Sequence, residues 1–322
     1  MITTLAGGVG AARMLRGVVA AFGPESDSPV ALTAVVNVAD DEVLHGLSIS
    51  PDIDTVAYTL AGAIDPVRGW GLANETWTAM ESLRRYTTST GRSDLGWFNL
   101  GDQDLGTHLY RTSRLAEGAP LSEVTAEMAA AWSLPVTLIP VTDQRMATRL
   151  VTNDAELAFQ EYFVREQHSV AVTEVRFAGS DSCLPAPGVL NAISGAHALL
   201  IAPSNPIVSI GPLLAVPGIR QAVTARRDIT VAVSPIIGGA ALKGPASRLL
   251  VELGHESSAL GVARIYRDIA AIMVIDEVDA ALAPQIEDLG MRCVVAPTIM
   301  VDRDAAANLA RIAIEAVRSS RP

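Results

Sequence analysis

The chain has 322 residues, a formal net charge of −11 at pH 7, and an apolar content of 49% with only 4% aromatic residues. With 24 basic residues against 35 acidic ones, it has no positive field to attract nucleic acid or an anionic membrane, and neither is expected as a partner. Two cysteines without metal-ligand spacing, no recognisable leader and no apolar run of membrane-spanning length favour a soluble, cytoplasmic protein.

Strand-length apolar runs alternate with helix-length amphipathic stretches from the first residues to the last. Runs such as 2–5, 32–36 and 198–201 are each followed by stretches of helical period. This alternation predicts an α/β fold with a Rossmann-like, doubly wound, mostly parallel sheet. We expect a single domain over residues 1–322. The segment at about 149–177 instead predicts a hairpin at an Asn-Asp turn and a further β-rich run, interpreted as a small β-rich insertion or subdomain.

Three glycines follow the first predicted strand directly, in the order Gly7-Gly8-Val9-Gly10. Glycine lets the backbone approach an anion, and the first N–H groups of the next helix can hold a phosphate. Gly7, Gly8 and Gly10 are therefore candidate phosphate-binding residues. The spacing matches neither a dinucleotide fingerprint nor a Walker loop, which argues against ordinary NAD or ATPase chemistry. A tight turn without a ligand is an equally compatible interpretation.

Four aspartates fall close together after the second predicted strand: Asp40, Asp41, Asp52 and Asp54. The carboxyl ends of parallel strands meet at one sheet edge, so these carboxylates are expected across from the glycine loop, as metal-assisted phosphoryl transfer requires. Asp40, Asp41 and Asp52 are candidate metal ligands, and Asp54, Asp41 and Asp40 are candidate catalytic residues. The structural alternative is that Asp40 and Asp41 only cap a turn.

The segment 100–108 carries a third polar cluster, Leu-Gly-Asp-Gln-Asp followed by a threonine and a histidine. Asp104 or Thr107 is expected to cap the following helix. Asp102 could instead face a ligand. A lone histidine is more often structural than catalytic, and both interpretations stay open for His108.

Two later loops leave predicted strands at the same sheet edge. Ser204 and Asn205 follow one strand, and Gly238 and Gly239 follow another. These four are candidate nucleotide contacts, because the turns after three strands would then converge on one cleft. Each loop could equally be ordinary punctuation between a strand and a helix.

Six motifs occur together in an order that is specific even though each motif alone is weak. They are Gly7-Gly8-Val9-Gly10, Asn37-Val38-Ala39-Asp40-Asp41, Ser50-Pro51-Asp52-Ile53-Asp54-Thr55, Leu100-Gly101-Asp102-Gln103-Asp104 with Thr107-His108, Pro203-Ser204-Asn205-Pro206 with Ser209-Ile210-Gly211-Pro212, and Ser234-Pro235-Ile236-Ile237-Gly238-Gly239. In this order the chain resembles the 2-phospho-L-lactate transferase family of coenzyme F420 biosynthesis, from Met1 to the last predicted helix.

The resemblance implies a Rossmann-like homodimer with Mg²⁺-dependent transferase activity. Such an enzyme moves a phospho-three-carbon acid, phosphoenolpyruvyl or 2-phospholactyl, from a guanosine diphospho-linked donor and releases GMP. The acceptor is the ribityl hydroxyl of 7,8-didemethyl-8-hydroxy-5-deazariboflavin (FO). Enolpyruvyl, lactyl and glyceryl forms all occur in related enzymes. The Ala/Arg-rich composition suggests a high-GC bacterium and so the enolpyruvyl form.

The resemblance also implies which residues meet FO. Asp54 matches the family's FO-contacting aspartate, with Thr55 beside it, and Asn99 stands at a second contact position. Family members often carry lysine at that second position and arginine where this chain has Gln103. The Asn99 contact is therefore made either by its side chain or by its backbone.

Three tryptophans have two possible roles. Trp70, Trp77 and Trp97 lie between the acidic motif and Asn99 and either line the ring site of FO or belong to the core.

The alternative function is a non-catalytic nucleotide-binding regulatory protein on the same scaffold. A sugar-nucleotide transferase is a further alternative that rests on fold analogy alone.

Overall fold

A computed structural model describes residues 1–92, 96–242 and 244–319. Its strands are β1 Ile2–Ala6, β2 Leu32–Val36, β3 Glu42–Leu44, β4 Leu47–Ile49, β5 Thr137–Pro140, β6 Ala147–Val151, β7 Glu156–Ala158, β8 Glu174–Ala178, β9 Ala198–Ile201, β10 Thr230–Val233, β11 Ile236–Ile237, β12 Ala240–Ala241, β13 Ile272–Ile275 and β14 Arg292–Val295. Its α-helices are α1 Gly8–Phe22, α2 Pro51–Leu60, α3 Thr78–Thr90, α4 Asp104–Ala116, α5 Leu121–Ala131, α6 Val189–Ser194, α7 Gly211–Ala215, α8 Ile219–Thr224, α9 Ala246–Glu252, α10 Ala259–Tyr266, α11 Ala283–Glu287 and α12 Arg303–Arg318.

The centre of the molecule is a seven-stranded sheet in the order β14-β13-β10-β9-β1-β2-β5, and every neighbouring pair in it is parallel. All residues of β1, β2, β9, β10 and β13 are buried, as expected for strands covered by helices on both faces. Because the strands are parallel, the segments after β1, β2, β9 and β10 all begin at one edge of the sheet. The predicted α/β, Rossmann-like fold is confirmed.

A three-stranded antiparallel sheet, β7-β6-β8, accounts for the predicted β-rich insertion. The β6–β7 hairpin turns at residues 152–155, where the Asn-Asp turn was expected, and the sheet extends slightly beyond the predicted bounds, to 147–178. Two short antiparallel hairpins, β3–β4 and β11–β12, were not predicted from the sequence.

Helix α1 starts directly after β1 and packs against α2 and α12. The small sheet packs on the main body through a second apolar cluster that includes Leu150, Tyr162, Val208 and Leu249. Among the helices that the structure describes, none is long and apolar enough to cross a bilayer.

Candidate functional site

Asn37 ties the acidic segments together at the carboxyl end of β2. Its side-chain amide, fully buried, donates to Asp40 Oδ2 at 3.1 Å and to Asp52 Oδ2 at 2.9 Å. Its own Oδ1 accepts from the Ala39 backbone N–H at 3.0 Å. The structure therefore brings together two aspartates that are twelve positions apart. Sequence reasoning did not single out Asn37, although an asparagine at the end of a buried strand was a usable signal.

The glycine loop reaches Asp52 across the sheet edge. The Gly8 N–H donates to Asp52 Oδ1 at 2.9 Å, and Gly8 has a φ of +72°, a conformation that favours glycine. A Cβ atom at Gly7 would lie 2.9 Å from Asp52 Oδ2. Of the predicted phosphate-binding groups, the Gly8 N–H is thus engaged by a carboxylate.

The loop after β9 packs directly on the glycine loop, as the sequence predicted. The Ser204 hydroxyl donates to the Gly7 carbonyl at 2.8 Å, and a Cβ atom at Gly10 would lie 2.2 Å from the Pro203 carbonyl oxygen. Asn205 caps the following turn through its Oδ1, which accepts from the N–H groups of residues 207 and 208, while its buried Nδ2 has no hydrogen-bond partner among the described residues.

The second pair of candidate nucleotide contacts occupies a hairpin turn. Gly238 and Gly239 join β11 to β12 with φ values of +58° and +82°. The Gly238 N–H donates to the Asp279 carboxylate at 3.0 Å, and the Gly239 carbonyl accepts from the Ser257 hydroxyl at 3.0 Å. The backbone polar groups of this turn are thus partly engaged within the protein.

Burial dominates the electrostatics of the acidic cluster. It raises the pKa of Asp40 well above its ordinary value, and the charges of Asp52 and Asp41 add to that rise. Burial likewise raises the pKa of Asp41 well above the ordinary value, although the Ser50 hydroxyl, 2.6 Å from Asp41 Oδ2, opposes the rise. It also raises the pKa of Asp52 to about 6. Carboxylates this close attract either protons or a cation.

Asp54 lies on α2 and faces helix α4. Its Oδ1 accepts from the Arg111 guanidinium, and its Oδ2 is buried and makes no hydrogen bond within the described residues. Burial raises the pKa of Asp54, while the charge of Arg111 opposes the rise. Asp54, Asp104 and His108 are the one group of possible metal ligands found among the described residues, with their ligand atoms within 4.8 Å of one another.

Asp104 and Thr107 do not cap α4, so that expectation was wrong. The Tyr58 hydroxyl lies 2.5 Å from Asp104 Oδ1 and 2.7 Å from Thr107 Oγ1. The cap comes from Glu75, whose carboxylate accepts from the N–H groups of residues 103 and 104 at 2.9 and 2.8 Å. Asp102 in turn accepts from the first N–H groups of α3 at 2.9 and 3.0 Å. Asp102 is therefore a helix cap.

The predicted FO contacts lie on helix α2 and in the loop before α4. Thr55 is buried beside Asp54 on α2. Asn99 is exposed, and its Oδ1 accepts from the Arg84 guanidinium. The Arg68 guanidinium lies over both Trp70 and Trp77, 5.3 Å from each ring centre, and Trp97 contacts Phe98 edge to face.

Arg111 is a second residue that the sequence reasoning missed. It is 1% exposed and contacts Asp54, Ser48 and His108. A usable signal was its spacing from Asp104 and His108, since positions i, i+4 and i+7 share one helix face.

The fold is that of a known structure. Protein BH3568 from Bacillus halodurans superimposes with a TM-score of 0.62 at 16% identity, over 98% of each chain. A second crystal structure of the Bacillus halodurans protein, there called a member of the upf0052 family, gives a TM-score of 0.63 at 15% identity. At this identity the likeness concerns the fold alone.

Sequence comparison then identifies the family. The family model for 2-phospho-L-lactate transferase CofD matches residues 2–316. The phosphoenolpyruvate transferase of Kitasatospora aureofaciens is 42% identical over 97% of this chain and 96% of that protein. Those of Streptomyces griseus (42%, 99% of each chain) and Mycolicibacterium smegmatis (41%, 98% of each chain) are similarly close. The chain belongs to the CofD family of coenzyme F420 biosynthesis and is a transferase.

Proposed function

We propose that this chain joins a phospho-three-carbon acid to the deazaflavin FO. The ribityl hydroxyl oxygen bonds to the phosphorus that carries the acid, the phosphoanhydride bond to GMP breaks, and the hydroxyl proton passes to a base. One observation carries the proposal. The aspartate at the family's FO-contact position, Asp54, is buried with one oxygen held by Arg111 and the other without a partner.

We propose that two aspartates of the acidic cluster hold a Mg²⁺ ion. Mg²⁺ is bound through oxygen, and Asp40 and Asp41 each keep one buried carboxylate oxygen that makes no hydrogen bond within the described residues. Asp52 has both oxygens engaged, by Gly8 and Asn37. Of the three predicted ligands we therefore propose Asp40 and Asp41 as the direct ones. A Mg²⁺ ion there would neutralise charge on the phosphates of the donor.

Asp54 is proposed as the base. A carboxylate whose pKa is raised by burial accepts a proton better near neutral pH than an ordinary aspartate does. Its Oδ2 is the oxygen left to meet a hydroxyl, because Oδ1 is held by Arg111. The remaining contribution of the protein is to hold hydroxyl and phosphorus in line, which is the main source of catalysis in phosphoryl transfer.

The donor is proposed to lie across the loops after β1 and β9. The N–H groups of the first turn of α1 would hold the diphosphate, with the Gly8 N–H passing from Asp52 to a phosphate oxygen. The unpartnered Asn205 Nδ2 is a donor for the guanosine end, next to Ser204. A guanosine contact at Gly238 and Gly239 stays a prediction.

The acceptor is proposed to lie against α2 and the segment before α4. Arg84 brings a guanidinium to Asn99, so the two together can contact FO. Trp70 and Trp77 offer planar faces that already hold a planar cation, Arg68, and would suit an aromatic ring. We further propose that the chain acts as one domain and assembles as a homodimer.

The acid is proposed to be phosphoenolpyruvyl. Three relatives that are 41–42% identical over nearly their whole length are named phosphoenolpyruvate transferases. The sequence composition favours the same donor.

Chromatography of released GMP tests the transfer, and a parallel titration of FO fluorescence measures FO binding. We expect GMP only when FO, the guanosine donor and Mg²⁺ are all present, and full loss of turnover in excess chelator. Binding of a guanosine nucleotide without FO binding or GMP release would favour the regulatory alternative. Full turnover in chelator would contradict the role of Asp40 and Asp41.

A further inference from the structure

A chain of four polar side chains, three of them buried and Asp104 partly exposed, joins α4 to α2 beside the acidic cluster. Asp104 Oδ2 lies 3.3 Å from His108 Nε2. His108 Nδ1 lies 3.3 Å from one terminal nitrogen of Arg111. The other terminal nitrogen of Arg111 contacts Asp54 Oδ1. His108 and Arg111 are each only 1% exposed, so solvent contributes little to holding them.

The partners of His108 define its tautomer. A guanidinium can only donate, so the His108 Nδ1 that faces Arg111 must accept. The ring proton is then on Nε2, which lies 3.3 Å from the Asp104 carboxylate; the two attract by charge without hydrogen-bond geometry. In this tautomer the lone pair is on Nδ1, toward Arg111, and a metal at Nε2 would have to displace the ring proton. We interpret Asp54, Asp104 and His108, whose ligand atoms lie within 4.8 Å of one another, as support for a neighbouring side chain.

Arg111 is held from several sides. Besides Asp54 and His108, its guanidinium donates to the Ser48 carbonyl at 3.2 Å and lies 3.7 Å from Met128 Sδ. A buried guanidinium fixed in this way holds the bound carboxylate in one orientation, because a planar donor set restricts rotation of its partner.

The consequence falls on Asp54. Its two oxygens would be equivalent in a freely rotating carboxylate, but here Oδ1 contacts Arg111, and Oδ2 makes no hydrogen bond in the described part of the chain. Oδ2 also lies 3.8 Å from His108 Nδ1, which as an acceptor offers it no proton. The free oxygen is thus kept available by the same chain that holds the other one.

We propose that Arg111 and His108 are positioning residues that fix Asp54 with Oδ2 turned toward the acceptor hydroxyl, and that Asp104 orients His108 for this purpose. The inference rests on the proposed function, in which Asp54 is the base. It goes further by naming the oxygen that acts and the residues that select it.

Substitutions at His108 separate this role from simple packing. His108→Asn keeps an acceptor near the Nδ1 position for Arg111. His108→Leu removes that acceptor. His108→Gln keeps a polar side chain of similar bulk, but its amide extends past the Nδ1 position. Thr125→Val is the matched control, because Thr125 is buried on the neighbouring helix α5 and its hydroxyl has no partner.

For folded His108→Leu and His108→Gln we expect kcat to fall on the order of 10²-fold, the scale of a misplaced catalytic group. The dissociation constant for FO, read from its fluorescence, should not change. His108→Asn should stay within about threefold of the wild-type kcat, since the Arg111 contact survives. Thr125→Val should match the wild type. If His108→Leu does not fold, His108→Gln carries the comparison.

Two results would overturn the proposal: wild-type kcat in folded His108→Gln, or a kcat for His108→Asn as low as for His108→Gln. Asp54→Asn, measured beside them, separates this failure from that of the proposed function. Low kcat in Asp54→Asn with normal kcat in His108→Gln rejects only the positioning role. Absence of GMP release by the wild type with FO rejects the proposed function and this inference together.

Discussion

The backbone of Gly10 lies so close to the loop after β9 that a Cβ atom there would sit 2.2 Å from the Pro203 carbonyl oxygen. We therefore predict that Gly10→Ala lowers the free energy of unfolding by about 2 kcal/mol or more, because backbone must move on both sides. Gly106→Ala is the matched control, since a Cβ atom at Gly106 in α4 would meet nothing within 4 Å. Urea unfolding of both variants measures the difference.

The control should be neutral or slightly stabilising, by roughly 0.5–1 kcal/mol, because alanine replaces glycine inside a helix. Equal stability of the two variants would contradict the close approach. This result also bears on the glycine loop as a phosphate site: Gly10 is required by packing, whatever the donor does.

Asp52 should make the stability of the metal-free protein depend on pH. Its pKa is raised in the folded protein from 3.8 to about 6, so the folded state binds the proton more tightly than the unfolded chain. The protonated carboxyl therefore stabilises the folded state below about pH 4, and this stabilisation is lost as the pH rises through about 6. The free energy of unfolding that is lost amounts to about 3 kcal/mol. Melting temperatures in chelator should therefore be higher at pH 5 than at pH 8.

Asp52→Asn is the control for this pH dependence, because an amide does not titrate. The difference between pH 5 and pH 8 should shrink in that variant. An unchanged difference would assign the effect to other groups, and a rise of stability with pH in the wild type would contradict the buried carboxyl cluster.

At the scale of elements, helices α3 and α4 are capped reciprocally: the carboxylate that caps each helix comes from the segment just before the other one. Asp102 accepts from the first N–H groups of α3, and Glu75 accepts from residues 103 and 104 at the start of α4. We predict that Asp102→Ala lowers the melting temperature by a few degrees while the kcat of folded enzyme is kept, since Asp102 contacts helix ends. Thermal melts and GMP release at low temperature measure the two effects.

Asp102→Asn is the conservative control, because asparagine also caps helices and should lose less stability than alanine. A fall of kcat with unchanged melting temperature would contradict the capping role and return Asp102 to the ligand site. Sequence reasoning assigned the cap of α4 to Asp104 or Thr107, whereas each capping carboxylate comes from a segment more than twenty residues away.

The positions of strands and helices along the chain could be predicted wherever the local sequence pattern determines them. Buried strands such as β1, β2 and β13 stand out as short apolar runs, and the Asn-Asp turn of β6–β7 identifies its hairpin. The hairpins β3–β4 and β11–β12 have strands of three and two residues, too short to show a period. Strand order in the central sheet depends on long-range packing and could not be read from local sequence.

At the scale of the whole molecule, the parallel sheet explains why the predicted site residues meet. Asp40, Asp52 and Gly8 follow different strands but share one edge, and Asn37 and hydrogen bonds to Asp52 hold them together. What the sequence could not show is which atoms remain unpaired. That depends on Arg111 and His108, which lie on a helix far along the chain.

The central claim is transfer of a phosphorylated three-carbon acid to FO, and the mass of the deazaflavin product tests it most directly. The protein is offered FO and Mg²⁺ with guanosine conjugates of the enolpyruvyl, lactyl and glyceryl acids, separately and in competition. We expect the preferred product to be a deazaflavin enlarged by the phosphoenolpyruvyl group, with one GMP released for each FO consumed. FO recovered unchanged with all three conjugates would contradict it.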